Sequence, residues 1–365
     1  MLFLKLPYVV QSSILNFMEL HEQFFLGLCS KRAKLVVRLI PREFNKSIIN
    51  MQQRCIELQK AGFRGVEFLK WCSSTYPPHM EHLVPEKSER CRKIKFWYNN
   101  VRIRCDVSYH PETRSPIIWH KEKFKRQVPM ALHFAVCDVF NLSREIQISF
   151  YIDRDFPDTD VVDNLIDMSW ETDPEVFKKF FEKVKVRNCL QIFSHYVDLG
   201  NDLNFLSTKH IFMFASKLVT RKWLTNFQGK SATFMFTEQI FTEDLIAFIE
   251  NWKIGGNSNL ESIFLTVKRE TNSVFDVDKI LAIAGAKPWD PKKRGARFKF
   301  PSTRRLCFYH DFLDCTKQLD VQRKTDGVLA TIRIEPKLFC FFVWLDPFPE
   351  TTPISVQRMN IFTND

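Results

Sequence analysis

Glycine is scarce in this chain: 10 residues of 365, against 36 phenylalanines. That scarcity argues against a nucleotide-binding fold built on Gly-rich loops, while the phenylalanines supply ample volume for a core. No apolar run reaches the roughly eighteen residues a membrane helix needs, so nothing is expected to span a bilayer. Met1–Leu4 is apolar for four residues before Lys5 and Pro7, too short for a secretion signal. The 10 cysteines include no CxxC pair. Without a secretion signal they read as reduced, buried thiols, which places the chain in the cytoplasm and/or nucleus. The P-loop pattern, GxSxG and HExxH are absent, so phosphate-cradling, hydrolase-elbow and zincin chemistries lack their minimum parts. No cofactor is implied.

The first forty residues carry the densest signal. Pro7 opens a helix without loss, because the first amide has no intrahelical acceptor. Val10, Ile14, Phe17 and Met18 then recur at helical spacing and line one face with apolar side chains. Leu20-His21-Glu22 breaks that face. Phe24, Phe25 and Leu28 begin a second period, and Leu35, Val36 and Leu39 a third. So small a unit cannot hide this many large apolar groups alone; it needs a partner surface or the rest of the chain.

Leu6-Pro7, Ile14-Leu15, Met18, Phe24-Phe25, Leu28 and the closing Ser30-Lys31-Arg32 resemble an F-box, the helical module of SCF ubiquitin-ligase receptors, over residues 1–45. The resemblance implies docking on the Skp adaptor, and through it on a cullin-RING ligase, while downstream residues hold a protein substrate. Carried over position by position, the docking contacts would come from Leu6, Pro7, Val10, Ile14, Leu15 and Met18. One departure stands out: many F-boxes place Glu two residues after the proline, and here that residue is Val9. The plain alternative is a helical hairpin packed on its own chain.

The net charge of +11 is unevenly placed. Lys287, Lys292, Lys293, Arg294, Arg297, Lys299, Arg304 and Arg305 face Asp290 alone, so one segment carries +7. Pro288, Pro291 and Pro301 stop it from continuing a helix, and it reads as an exposed loop. A basic patch of Lys292, Lys293, Arg294, Arg297 and Lys299 suits nucleic acid or an acidic partner, or serves only to keep a Phe-rich chain soluble.

Downstream, the pattern changes repeatedly. Residues 46–92 read as an irregular linker, with Ile49, Met51, Cys55 and Leu58 spaced as a helix that ends near Gly62. From Lys93 apolar and basic residues alternate as strands, with a turn at Asn99-Asn100. A strand pair is expected over Ala131–Val139 and Ile146–Ile152. Strands at Leu190–Phe193, His210–Phe214, Ala232–Phe236 and Ile263–Val267 alternate with helices. One of these is capped by Thr242 and carries a stripe of Leu245, Phe248, Ile249 and Trp252; another spans Phe275–Ala284. Trp223 and Trp252 stand in similar helix ends and hint at a leucine-rich-repeat-like alternation; both read as core rather than as a stacking platform. Asp326-Gly327 between alternating runs signals a hairpin, with Phe339–Trp344 as a third strand.

A second resemblance rests on Phe241-Thr242-Glu243-Asp244-Leu245, on Trp252 with Gly255-Gly256-Asn257, and on Leu260-Glu261-Ser262-Ile263. It continues through Asp320, Arg323, Asp326-Gly327, Ala330-Thr331-Ile332, Phe341 and Val343-Trp344. Together these resemble the F-box-associated domain of the large nematode-type F-box family, most clearly over 190–345 within a domain of 93–350. That likeness implies a substrate-binding domain without catalysis. Other constellations are weak. His310-Asp311 are sequence neighbours without an implied cleft, Cys307, His310 and Cys315 lack a fourth zinc ligand, and His79 and His82 sit in a Pro-rich stretch. The expected fold class is α+β: a helical module followed by a mixed strand–helix domain.

Overall fold

The computed structural model describes residues 2–60, 66–73, 91–152, 155–169, 173–193, 204–214, 219–268, 274–300 and 312–349. His79, His82, Arg304, Arg305, Cys307 and His310 lie outside them. The chain divides into two compact units, one built mainly from 1–169 and the other from 187 onward. The class is α+β, as expected.

In the first unit three helices, α1 (Tyr8–Phe17), α2 (Leu20–Cys29) and α3 (Lys31–Arg38), precede strands β1 (Phe44–Asn50), β2 (Cys55–Lys60) and β3 (Val66–Ser73). Then come β4 (Arg92–Tyr98), β5 (Val101–Tyr109), β6 (Pro116–His120), helix α4 (Gln127–Phe140), β7 (Gln147–Phe150) and β8 (Val161–Asp167). The strands lie in the order β8-β7-β1-β2-β3-β6-β5-β4. Pairing is parallel at β7–β8, β1–β7 and β3–β6, and antiparallel elsewhere.

Two expectations fail here. The helix read over Ile49–Leu58 is the β1–β2 hairpin, with Asn50 opposite Cys55. Its turn forms because Arg54 takes positive φ and the Asn50 side-chain oxygen accepts from the Gln53 amide at 2.9 Å. The strand read over Ala131–Val139 is α4. Ten of its fourteen residues are buried, so it is apolar all round and shows no face from which a period can be read. It ends at Asn141, which adopts the left-handed conformation. By contrast, the turn at Asn99-Asn100 is as expected: both residues have positive φ and join β4 to β5.

The second unit holds α5 (Pro174–Lys183), β9 (Lys185–Ile192), β10 (His210–Met213), α6 (Arg221–Asn226), β11 (Ser231–Thr237), α7 (Thr242–Lys253), β12 (Ser262–Val267) and α8 (Val277–Ala284). Short strands β13 (Lys287–Pro288), β14 (Arg297–Lys299) and β15 (Phe312–Asp314) lead into β16 (Leu319–Gln322), β17 (Leu329–Glu335) and β18 (Leu338–Val343). Strands β9 to β12 are parallel neighbours in chain order, and β12-β18-β17-β16-β13 continue antiparallel. The crossover helices α6 and α7 have six and twelve residues, so strand and helix alternate without a unit of constant length. Leu245, Phe248, Ile249 and Trp252 are all buried, as the α7 stripe requires, and Trp223 and Trp252 are core. The cap differs from expectation. Asp244, not Thr242, accepts the Phe241 amide at 2.9 Å, and the Thr242 hydroxyl accepts from Asp276.

Candidate functional site: the N-terminal helical face

The three N-terminal helices are held by side chains that satisfy helix ends. Pro7 precedes α1, and its carbonyl accepts the Val10 and Gln11 amides at 3.0 Å. The Glu22 carboxylate accepts the Glu19 amide at 3.0 Å, and the Ser30 hydroxyl accepts the Ala33 amide at 3.1 Å, starting α2 and α3. Two buried glutamines join the pieces. Gln11 donates to the Leu6 carbonyl at 2.9 Å, and Gln23 donates to those of Leu15 and Met18 at 2.9 and 3.1 Å. Arg42 in turn donates to the Gln23 side-chain oxygen at 2.8 Å. Nothing in the sequence pattern marked these glutamines, because a polar residue inside an apolar run looks like an interruption until its partners are known.

The module seats on α4. Phe24, Phe68 and Phe140 meet with ring centroids 5.6 to 6.3 Å apart. Gly27 makes the approach close: a Cβ there would lie 2.7 Å from a methyl of Val139. Lys34 and Arg38 both pair with the Asp138 carboxylate, and Arg38 also donates to the Asp138 carbonyl at 2.7 Å. Burial pushes the Asp138 carboxyl up, but bonding to Lys34 and attraction from Lys34 and Arg38 hold it below its usual range. The Arg42 guanidinium lies 4.7 Å over the Phe140 ring, and burial lowers its pKa to about 10.

Helices α2 and α3 pack on α4, whereas α1 packs on α3 and leaves its other side in solvent. Val10, Ile14 and Phe17 share one stripe of α1, Leu6 lies just before the helix, and all four are exposed, Phe17 at 91%. Pro7 is exposed beside them, and Met18 is half-buried. Leu15 is different: at 0% exposure, with its carbonyl engaged by Gln23, it fastens the module instead of presenting a surface. Val9, at 73%, occupies the position where the Glu was missed, so this edge is apolar instead of charged. Sequence reading placed Phe17 in the stripe but not among the contact residues. It also passed over Tyr8, Leu35 and Leu39 as surface groups, although all are exposed. The Tyr8 hydroxyl reaches the Leu39 carbonyl at 3.4 Å, which ties the start of α1 to the end of α3.

Over its described residues, 287–300, the basic segment of the second unit is paired with strands instead of forming only an exposed loop. Lys287–Pro288 pair with β16, and Arg297–Lys299 pair with β15. Lys292, Lys293, Arg297 and Lys299 are exposed. Arg294 is not part of a surface patch: it is 0% exposed and bonds both Asp320 carboxylate oxygens at 2.9 to 3.0 Å. It also donates to the carbonyls of Gly295 and Cys315, and its guanidinium lies 4.7 Å over the Trp344 ring. Asp320 further accepts from the Thr331 hydroxyl, which itself accepts from the Trp344 ring nitrogen. A cation spent on this buried network is unavailable to nucleic acid.

Among the described residues no group of three or more His, Cys, Asp or Glu is placed to hold a metal ion, and no helix is long and apolar enough to cross a membrane.

The family model for the F-box domain matches residues 3–45, the span of the helical module. A Caenorhabditis elegans protein described only as uncharacterized is 27% identical over 370 residues, covering 95% of this chain and 78% of that protein. No solved structure matches the chain.

Proposed function

From the premise that residues 3–45 are an F-box domain, we propose that this chain is a substrate-recognition subunit of an SCF-type ubiquitin ligase. F-box domains serve in general as substrate adaptors in such ligases and bind the Skp adaptor of a cullin-RING assembly. The observation that carries the reading for this chain is the exposed apolar stripe of Leu6, Val10, Ile14 and Phe17 on a module whose other side is occupied by α4. A stripe of this kind on the surface is what an apolar partner groove covers.

The residues downstream of the module would hold a protein substrate, as an F-box-associated domain does. The mechanism is proximity: tethering raises the effective concentration of substrate lysines near the ubiquitin-charged enzyme, and the chain itself contributes no catalytic group. We place this in the cytoplasm and/or nucleus, which suits nine cysteines that form no disulfide among the described residues.

Co-purification with a Skp adaptor tests the reading. Wild type is expected to be captured, and Leu6→Ala with Pro7→Ala to lose capture while keeping its thermal transition. Equal capture of the double variant would overturn the assignment of the docking face. A folded wild type that is not captured would overturn the receptor reading.

The nucleic-acid alternative is weakened by Arg294, which is committed to Asp320.

A further inference from the structure

The β4–β5 hairpin presents a surface that adaptor docking does not use. On β4, Phe96 and Tyr98 face α4, where Tyr98 stacks on Phe134 at 6.2 Å. Strand alternation therefore turns Lys93, Lys95 and Trp97 to the opposite face of the sheet. The register sets Trp97 opposite Arg102, Lys95 opposite Arg104 and Lys93 opposite Asp106. Lys93, Lys95, Arg102 and Arg104 are all exposed, and none bonds or ion-pairs through its side chain with a described residue. Trp97 stands among them at 67% exposure.

Two features of this surface are unfavourable as they stand. Like charges directly opposite on neighbouring strands repel, and Lys95 and Arg104 form such a pair. A large indole ring left in water adds apolar surface. An anion between the two cations with an apolar group on the indole relieves both. In addition, β4 lies at the end of the strand order, with β5 as its only described strand partner.

We propose that this face and edge bind an extended acidic polypeptide segment that carries an apolar residue for Trp97. Side chains on one face of an extended peptide repeat about every 6.6 Å, which matches the spacing of Lys93, Lys95 and Trp97 along β4. Backbone pairing along the side of β4 away from β5, where no described strand pairs, would add directional bonds. A single-stranded nucleic acid fits less well. Its backbone charge is continuous, whereas the cation row ends at Asp106. Stacking platforms also use successive aromatic rings, and Trp97 is the one exposed ring of this face among the described residues. The proposal deepens the receptor reading and rests on it only in calling the bound segment a substrate.

The test is fluorescence anisotropy on the full chain, with a labelled Glu-rich peptide of about twelve residues that carries one Leu and a labelled oligo-dT of similar length as probes. Wild type is expected to bind the peptide more tightly than the oligonucleotide, with affinity falling as salt rises. Lys95→Glu with Arg104→Glu is expected to lower peptide affinity about tenfold or more. Lys95→Arg should retain binding, and Lys292→Ser with Lys293→Ser should leave it unchanged. Unchanged peptide affinity in the double reversal overturns the proposal, as does tighter oligonucleotide binding that the same reversal abolishes. Skp adaptor capture of each variant is measured alongside: retained capture with unchanged peptide binding refutes the hairpin site alone, and no capture by wild type refutes the receptor reading alone.

Discussion

At the scale of single residues, burial decides roles that residue type leaves open. His133 is fully buried on α4, with Nδ1 3.2 Å from the Ser47 hydroxyl. Burial lowers its pKa to about 4, against weaker upward pulls from the Arg144 backbone and Asp163. Because the folded value lies below the ordinary 6.5, the unfolded chain binds the proton more readily, and stability falls as pH drops from about 6.5 toward 4. The loss from this one group reaches on the order of 3 kcal/mol at the acid end. Urea midpoints of wild type and His133→Gln across that range check it: the variant should show a shallower pH slope, and equal slopes would contradict the assignment.

Arg294 makes the same point in the second unit. Its replacement by Ser leaves Asp320 buried without its cation, a change expected to destabilise by about 3–5 kcal/mol in thermal or urea unfolding. Lys292→Ser, next door and exposed, should change stability by less than about 0.5 kcal/mol. In sequence the two look alike. A run of Lys and Arg beside prolines carries a charge signal but nothing about Asp320, which lies 26 positions away.

At the scale of elements, local signals were legible where a short stretch settles its own geometry. Gly327 has positive φ, Asn99 and Asn100 likewise, and each sits at the hairpin turn its sequence announced. The α7 stripe was legible because that helix is buried on one side only. Helix α4 was not, since the sheet takes one side and the N-terminal module the other. The periodicity that marks a half-buried helix is then erased by the module itself. The β1–β2 hairpin was missed because its apolar residues fell at helix-like intervals while the turn depended on Arg54 adopting positive φ, which its residue type does not announce.

Gly27 gives a test of the α2–α4 seat whose sign is informative. In a free helix, glycine to alanine gains about 1 kcal/mol. Here the added methyl would meet Val139 at 2.7 Å. Gly27→Ala is therefore expected to destabilise by about 1–3 kcal/mol. Combining it with Val139→Ala should recover part of that loss in chemical unfolding. A stabilised Gly27→Ala would mean that α2 does not seat closely on α4.

At the scale of the molecule, the F-box is built into the first unit by the Phe24, Phe68 and Phe140 cluster and by the Asp138 clamp. A module held this way keeps its orientation relative to the β4–β5 hairpin of the same unit. The sequence made the module and its apolar stripe legible, because helical spacing and a leading proline are local. It could not assign Leu15 to the interior or Phe17 to the exterior, since both fit the same apolar run and only the seat on α4 separates them.

We propose that the exposed stripe of α1, and not the buried side of the module, docks on the adaptor. Titration calorimetry of the full chain into purified Skp adaptor, wild type against Val10→Asp with Phe17→Asp, tests it most directly. Saturable binding by wild type, reduced about a hundredfold or more in a variant with an unchanged thermal transition, is the predicted result; a desolvated charge in an apolar interface has effects of this size. Equal affinities, or no heat of binding from folded wild type, would overturn this docking face.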